Sequence, residues 1–194
     1  MDRRTQKNLQ SWSECLVKNH RPHAGHFSWE SDKAVAEAGV LKVFEEELEL
    51  DGNSFFLQAR HRGQGNDPPD CEAMSKDGGR VGIEITELVD PESAAAARLK
   101  QPYEWKDWRY GLVPALQKRL SEKDSPTHLK DPPYIEYVLL IHTDEPWLEI
   151  DRVRSTLASH IFLPTALITR AYLLVSYSPW EKRYPCIRLN VARP

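Results

Sequence analysis

Two carboxylates are spaced so that they could do chemistry together. Asp70 closes the run "DPPD". Glu84 stands fourteen positions further on, inside the apolar run "VGIEITELV". A carboxylate in the middle of an apolar strand is desolvated, and it persists there only if it is paired, hydrogen-bonded or bound to a cation. Between the two lies "DGG", a strong hairpin signal, which predicts strands over roughly 70–76 and 80–88. With a three-residue loop at Asp77–Gly79, Asp70 faces Thr86 and Glu72 faces Glu84, and all four side chains share one face of the sheet. A two-residue loop sets Asp70 opposite Glu87 instead. In either register, carboxylates of neighbouring strands crowd together, and they repel unless a cation neutralises them. Hard oxygen ligands with open positions suit Mg²⁺ or Mn²⁺. Such an ion keeps waters, binds substrate phosphates and can activate a water for attack.

The elements that position this pair can be read along the chain. Residues 1–28 are polar and irregular. "SWESDKAVAEAGVLKVFEEELEL" predicts a helix capped by Ser31 or Asp32, with Val35, Val40, Val43 and Phe44 as a partial apolar stripe. "NSFFLQARH" follows as a strand, then the loop "RGQGNDPP", the hairpin, and a short helical connection "PESAAAARLK" with Pro91 in its first turn. "WRYGLVPALQKRLSEK" predicts a helix whose apolar face carries Leu112, Val113, Leu116 and Leu120. "YIEYVLLIHTD" reads as a buried strand, "WLEIDRVRSTLASHIF" as a helix, and "AYLLVSYS" and "CIRLNVA" as closing strands. The order α-β-β-β-α-β-α-β-β implies an α/β fold in one domain: a mixed central β-sheet flanked by helices.

With this order in place, "PPD", thirteen intervening residues and "EIT" resemble the PD-(D/E)xK, or restriction-endonuclease-like, nuclease superfamily. The likeness covers about Ser31 to Asp144. It implies a nuclease-like αβββαβ core over 31–144, an N-terminal extension over 1–28, and a C-terminal helix and strands over 145–194 that complete the sheet. It implies that Asp70 and Glu84 hold Mg²⁺ or Mn²⁺ with help from the carbonyl of Ile85. The implied activity is metal-dependent hydrolysis of phosphodiester bonds, with DNA the expected substrate and partner. The chain departs from the motif at Thr86, which stands where the family has its lysine and brings no positive charge. Lys123 is the candidate substitute, because it lies near the centre of its helix's apolar face, with Gln117 at that face's edge. Lys118 points away, and Lys76 lies too far along its strand. Lys123 also fits a last-turn lysine that favours the helix dipole. A degenerate relative that binds nucleic acid or a protein partner without cleavage is the alternative expectation.

Composition narrows the remaining classes. The chain has 194 residues and a net charge of −3, so any nucleic-acid contact needs a local basic patch. Three cysteines without a CxxC pair fit a reducing cytosol, and a cytoplasmic location is expected. Neither a signal peptide nor a membrane-spanning run is expected, and self-association into a homo-oligomer stays open. His20, His23 and His26 are interrupted by Pro22 and Gly25, which favours a surface loop over a metal site. Cys71 beside Asp70 reads as a buried structural thiol. The segment Arg98–Gly111 interleaves basic residues with Tyr103, Trp105, Trp108 and Tyr110. This pattern suits either bases and phosphates or a ring-covered core with solvated charges.

Overall fold

The computed structural model describes residues 33–63, 65–125, 129–146 and 148–192. The histidine trio, both candidate N-caps and Cys15 lie outside them. The described residues form a mixed α/β fold. In chain order the elements are α1 (Lys33–Leu50), β1 (Phe56–His61), β2 (Cys71–Ser75), β3 (Arg80–Glu87), α2 (Pro91–Arg98), α3 (Trp108–Lys123), β4 (Glu136–Thr143), α4 (Ile150–Ala158), β5 (Arg170–Val175) and β6 (Cys186–Leu189).

The six strands make one sheet in sequence order, β1-β2-β3-β4-β5-β6. The pairs β1–β2, β2–β3 and β5–β6 are antiparallel, while β3–β4 and β4–β5 are parallel. Short turns can join antiparallel strands, whereas the two parallel pairs need the helical crossovers that α2–α3 and α4 provide. Parallel strands covered on both faces read as continuous apolar runs, and "YVLLI" in β4 is one. Its Val138 and Leu140 meet α1 through Val40, Phe44 and Leu48. Leu139 and Ile141 point the other way, toward Leu112, Leu116 and Leu120 of α3 and Val153 and Leu157 of α4. The stripe on α1 is shifted from expectation: Val35 is exposed, and Leu41 and Leu48 are buried in addition to Val40, Val43 and Phe44.

The hairpin register differs from both expected ones. Cys71 pairs with Ile83 and Met74 with Arg80. Ser75 N–H donates to Gly79 O at 3.0 Å, and Gly78 N–H to Ser75 O at 3.0 Å. The loop has three residues, as expected, but they are Lys76–Gly78, one position upstream of the expected Asp77–Gly79. The two glycines explain the choice. Gly78 closes the turn at φ +87° and Gly79 follows at φ +95°, the pattern of a type I turn with a glycine bulge. A Cβ on Gly79 would also lie 2.9 Å from the Ile135 side chain. Continued by one step, this register sets Asp70 opposite Glu84. Because it moves pairs by an even number, Glu72 and Glu84 keep the same side of the sheet. Glu72 nevertheless leaves the cluster: its carboxylate accepts from Arg60 and from Arg80, at 2.5 and 2.8 Å, and these arginines hold it below the usual range.

Candidate functional site

β2 begins at Cys71, whereas β3 runs on to Glu87, so the β2 side of β3 loses its ladder partner after Ile83. Asp70 fills the gap. Its Oδ2 accepts the backbone N–H of Ile85 at 2.8 Å, taking the place of a strand carbonyl. The carboxylate is thereby fixed in a notch of the sheet at 4 % exposure, with Oδ1 turned to a cleft. Glu84 enters the same cleft from β3 at 5 % exposure. The cleft holds about 260 Å³ and is lined by Lys33, Asp67, Pro68, Asp70, Glu84, Glu122, Lys123, Ser125 and Tyr137.

Lys123 reaches Glu84 from the last turn of α3, with Nζ 2.5 Å from Oε1. Leu112, Leu116, Leu120 and Lys123 follow one another at helical spacing, so the turns that bury the leucines on the sheet also aim the lysine at it. The end of α3 is fixed by Asp124, whose carboxylate accepts the N–H groups of Ala166, Leu167 and Ile168 at 2.6, 2.7 and 3.1 Å. Tyr137 donates to Glu84 Oε2 at 3.4 Å. Burial and the neighbouring Glu84 push its phenol up, so it remains a donor. Glu84 itself is raised above the ordinary carboxylate value, by burial first and by the charge of Asp70 second, while Lys123 and Tyr137 oppose the shift.

Four contributors, Lys33, Glu37, His61 and Tyr137, were not legible from sequence reasoning. Lys33, in the first turn of α1, lies 3.5 Å from Asp70 Oδ1 and 3.0 Å from Glu37 Oε1. His61 Nε2 is 2.9 Å from Glu37 Oε2. Its Nδ1 accepts the Gly63 N–H at 2.9 Å, so the neutral ring carries its proton on Nε2 and donates it to Glu37. The only sequence trace of this arm is the Lys33–Glu37 spacing of four on a helix. Nothing in the sequence ties Tyr137 to Glu84, because strand pairing places Tyr137 beside Gly82.

The remaining expected residues are placed as follows. Ile85 gives its N–H to Asp70 and buries its side chain on the α1 face. Gln117 Oε1 accepts the Leu163 N–H, and Lys118 is exposed beside Glu122. Glu87 is not opposite Asp70, and Lys76 is exposed in the hairpin loop. Cys71 is fully buried with its thiol pushed up, as a structural thiol would be. In the segment 98–111, Lys106 meets Asp90 at 2.8 Å and Arg109 meets Asp107 at 2.5 Å, while Arg98 and Lys100 are exposed. Trp108 is buried and donates to Glu145 at 3.1 Å. The segment edges a second cavity of about 600 Å³. That cavity lies at the other end of α3 from Lys123, roughly 20 Å away by the helical rise.

Comparison with protein-family models, curated proteins and solved structures finds no match for the chain. Among the described residues no helix is long and apolar enough to cross a membrane.

Proposed function

We propose that the chain is a divalent-metal-dependent nuclease of the PD-(D/E)xK class that hydrolyses phosphodiester bonds in DNA. The observation that carries the reading is the convergence of Asp70, Glu84 and Lys123 on one cleft, with Lys123 supplying at Glu84 the positive charge that Thr86 does not. Support also comes from the element order: a helix, a three-strand meander, helices, and a strand parallel to β3. The donor set suits Mg²⁺ or Mn²⁺. Asp70 Oδ1 and the Glu84 carboxylate are hard oxygen donors in one cleft, and carboxylates outnumber ammonium groups along its walls. Two carboxylates suffice for an ion that keeps water and phosphate ligands. When bound, the ion lowers the pKa of a water and stabilises charge on the scissile phosphate. The chain's own contribution is orientation. The Ile85 N–H fixes Asp70, Tyr137 and Lys123 fix Glu84, and the Lys123 ammonium holds positive charge at the reacting centre.

A second reading, a non-catalytic relative that binds nucleic acid or protein, draws on two observations. Lys123 already neutralises Glu84 directly. Among the described residues, no group of three or more His, Cys, Asp or Glu side chains is arranged to hold an ion.

Calorimetric titration of Mn²⁺ into the wild type and Asp70→Asn separates the readings, together with DNA cleavage by wild type and Glu84→Ala. Under the nuclease reading, Mn²⁺ binds the wild type and not Asp70→Asn, and Glu84→Ala lowers cleavage by at least about 10²-fold. Cleavage that persists unchanged in Glu84→Ala removes the assignment, and binding of DNA that survives chelation without cleavage supports the second reading.

A further inference from the structure

We propose that Lys33 is a phosphate-contact residue that holds the DNA backbone at the mouth of the cleft. The inference rests on the nuclease reading above and assigns a role to a residue outside the motif.

The two lysines of the site are placed differently. Lys123 is 35 % exposed and bound tightly to Glu84 from within. Lys33 is 72 % exposed and bridges two nearly buried carboxylates, Glu37 and Asp70, from the outside. Its contact to Asp70 Oδ1 is long, at 3.5 Å. An ammonium has three donors, and the two carboxylates leave one direction open to solvent. Lys33 also stands at a junction. A smaller cavity of about 180 Å³, lined by Glu37 and His61 and distinct from the one beside Trp108, adjoins the main cleft, and Lys33, Asp67 and Asp70 line both.

Charge explains why a cation is needed there. Among the described residues, the main cleft presents Asp67, Asp70, Glu84 and Glu122 against Lys33 and Lys123, so their combined field repels a polyanion. Were Asp70 to hold a divalent ion, its pull on the Lys33 ammonium would be weakened. The four-carbon stem of Lys33 then lets Nζ turn outward to a phosphate one position from the scissile bond, while the fork of Glu37, held by His61, limits its swing. Such a contact positions the backbone and carries no base information.

The test uses the full chain as wild type, Lys33→Met and Lys33→Arg. Binding of a fluorescein-labelled duplex is followed by anisotropy in Ca²⁺ across a salt series, and cleavage kinetics are measured in Mg²⁺ or Mn²⁺. The expected result is a salt slope of log Kd that is shallower by about one in Lys33→Met and restored in Lys33→Arg. KM rises about tenfold in Lys33→Met with kcat within about twofold of wild type. A wild-type slope and KM in Lys33→Met, or a fall in kcat at unchanged KM, overturns the phosphate contact. The two readings fail separately. If the wild type cleaves and Lys33→Met keeps the wild-type slope, the contact falls and the nuclease stands. If Lys33→Met flattens the slope but the wild type cleaves with neither metal, the contact stands and the nuclease reading falls.

Discussion

Glu84 sits where its surroundings disfavour the ionised form. Burial and the charge of Asp70 raise its pKa, and Lys123 and Tyr137 only partly offset them. The folded chain therefore binds the Glu84 proton more tightly than the unfolded chain does. Between the ordinary value of 4.5 and the raised value, the native state carries more protons, so this group makes stability fall as pH rises through that window. Glu84→Gln removes the titrating group while keeping the shape. Its Tm is expected to exceed that of wild type at pH 8. The difference should close as pH falls below the ordinary carboxylate value. Thermal unfolding followed by circular dichroism across pH 4–8 measures it. A lower Tm for the variant at pH 8 would mean that the Lys123 pair outweighs burial.

At the scale of elements, the site depends on where strands and helices stop. β2 starts late, which leaves the Ile85 N–H for Asp70, and α3 ends at the residue that reaches Glu84. Asp124 locks that end by accepting three backbone N–H groups of the segment leading into β5. Asp124→Ala leaves those donors without their carboxylate and is expected to lower unfolding free energy by about 1–3 kcal/mol. Urea denaturation reads this out, with the exposed Lys118→Ala as a control expected within about 0.5 kcal/mol. Equal midpoints for the two variants would show that the Asp124 contacts do not anchor α3.

Across the whole molecule, the sheet is the rigid frame and its two faces are filled separately. α1 covers one face and α3 with α4 the other, so β4 is buried on both sides. Leu139 is fully buried between β4 and α3, and truncation to alanine opens a cavity in the layer that seats Lys123. Leu139→Ala is expected to lose about 2–5 kcal/mol. Trp180, at 95 % exposure, should lose almost nothing on the same truncation, and chemical denaturation of both variants makes the comparison. A small loss at Leu139 would contradict the packing that aims α3 at the site.

The sequence was enough to read the order of the six strands, the buried character of β4, the hairpin between Asp70 and Glu84, and the face of α3 from which Lys123 reaches the sheet; the expected order had one helix between β3 and β4, where the structure has α2 and α3. All of these follow from local periodicity, turn chemistry and helical spacing, which act within a dozen residues. The tertiary structure decided the rest. It set the hairpin loop at Lys76–Gly78, where Gly79 lies against Ile135 of a distant segment. It drew Glu72 away to Arg60 and Arg80, and it brought Lys33, Glu37, His61 and Tyr137 to the site. Those residues are spread along the chain from Lys33 to Tyr137. Their meeting depends on how the strands pair and on which face each helix covers, and no local pattern encodes either choice.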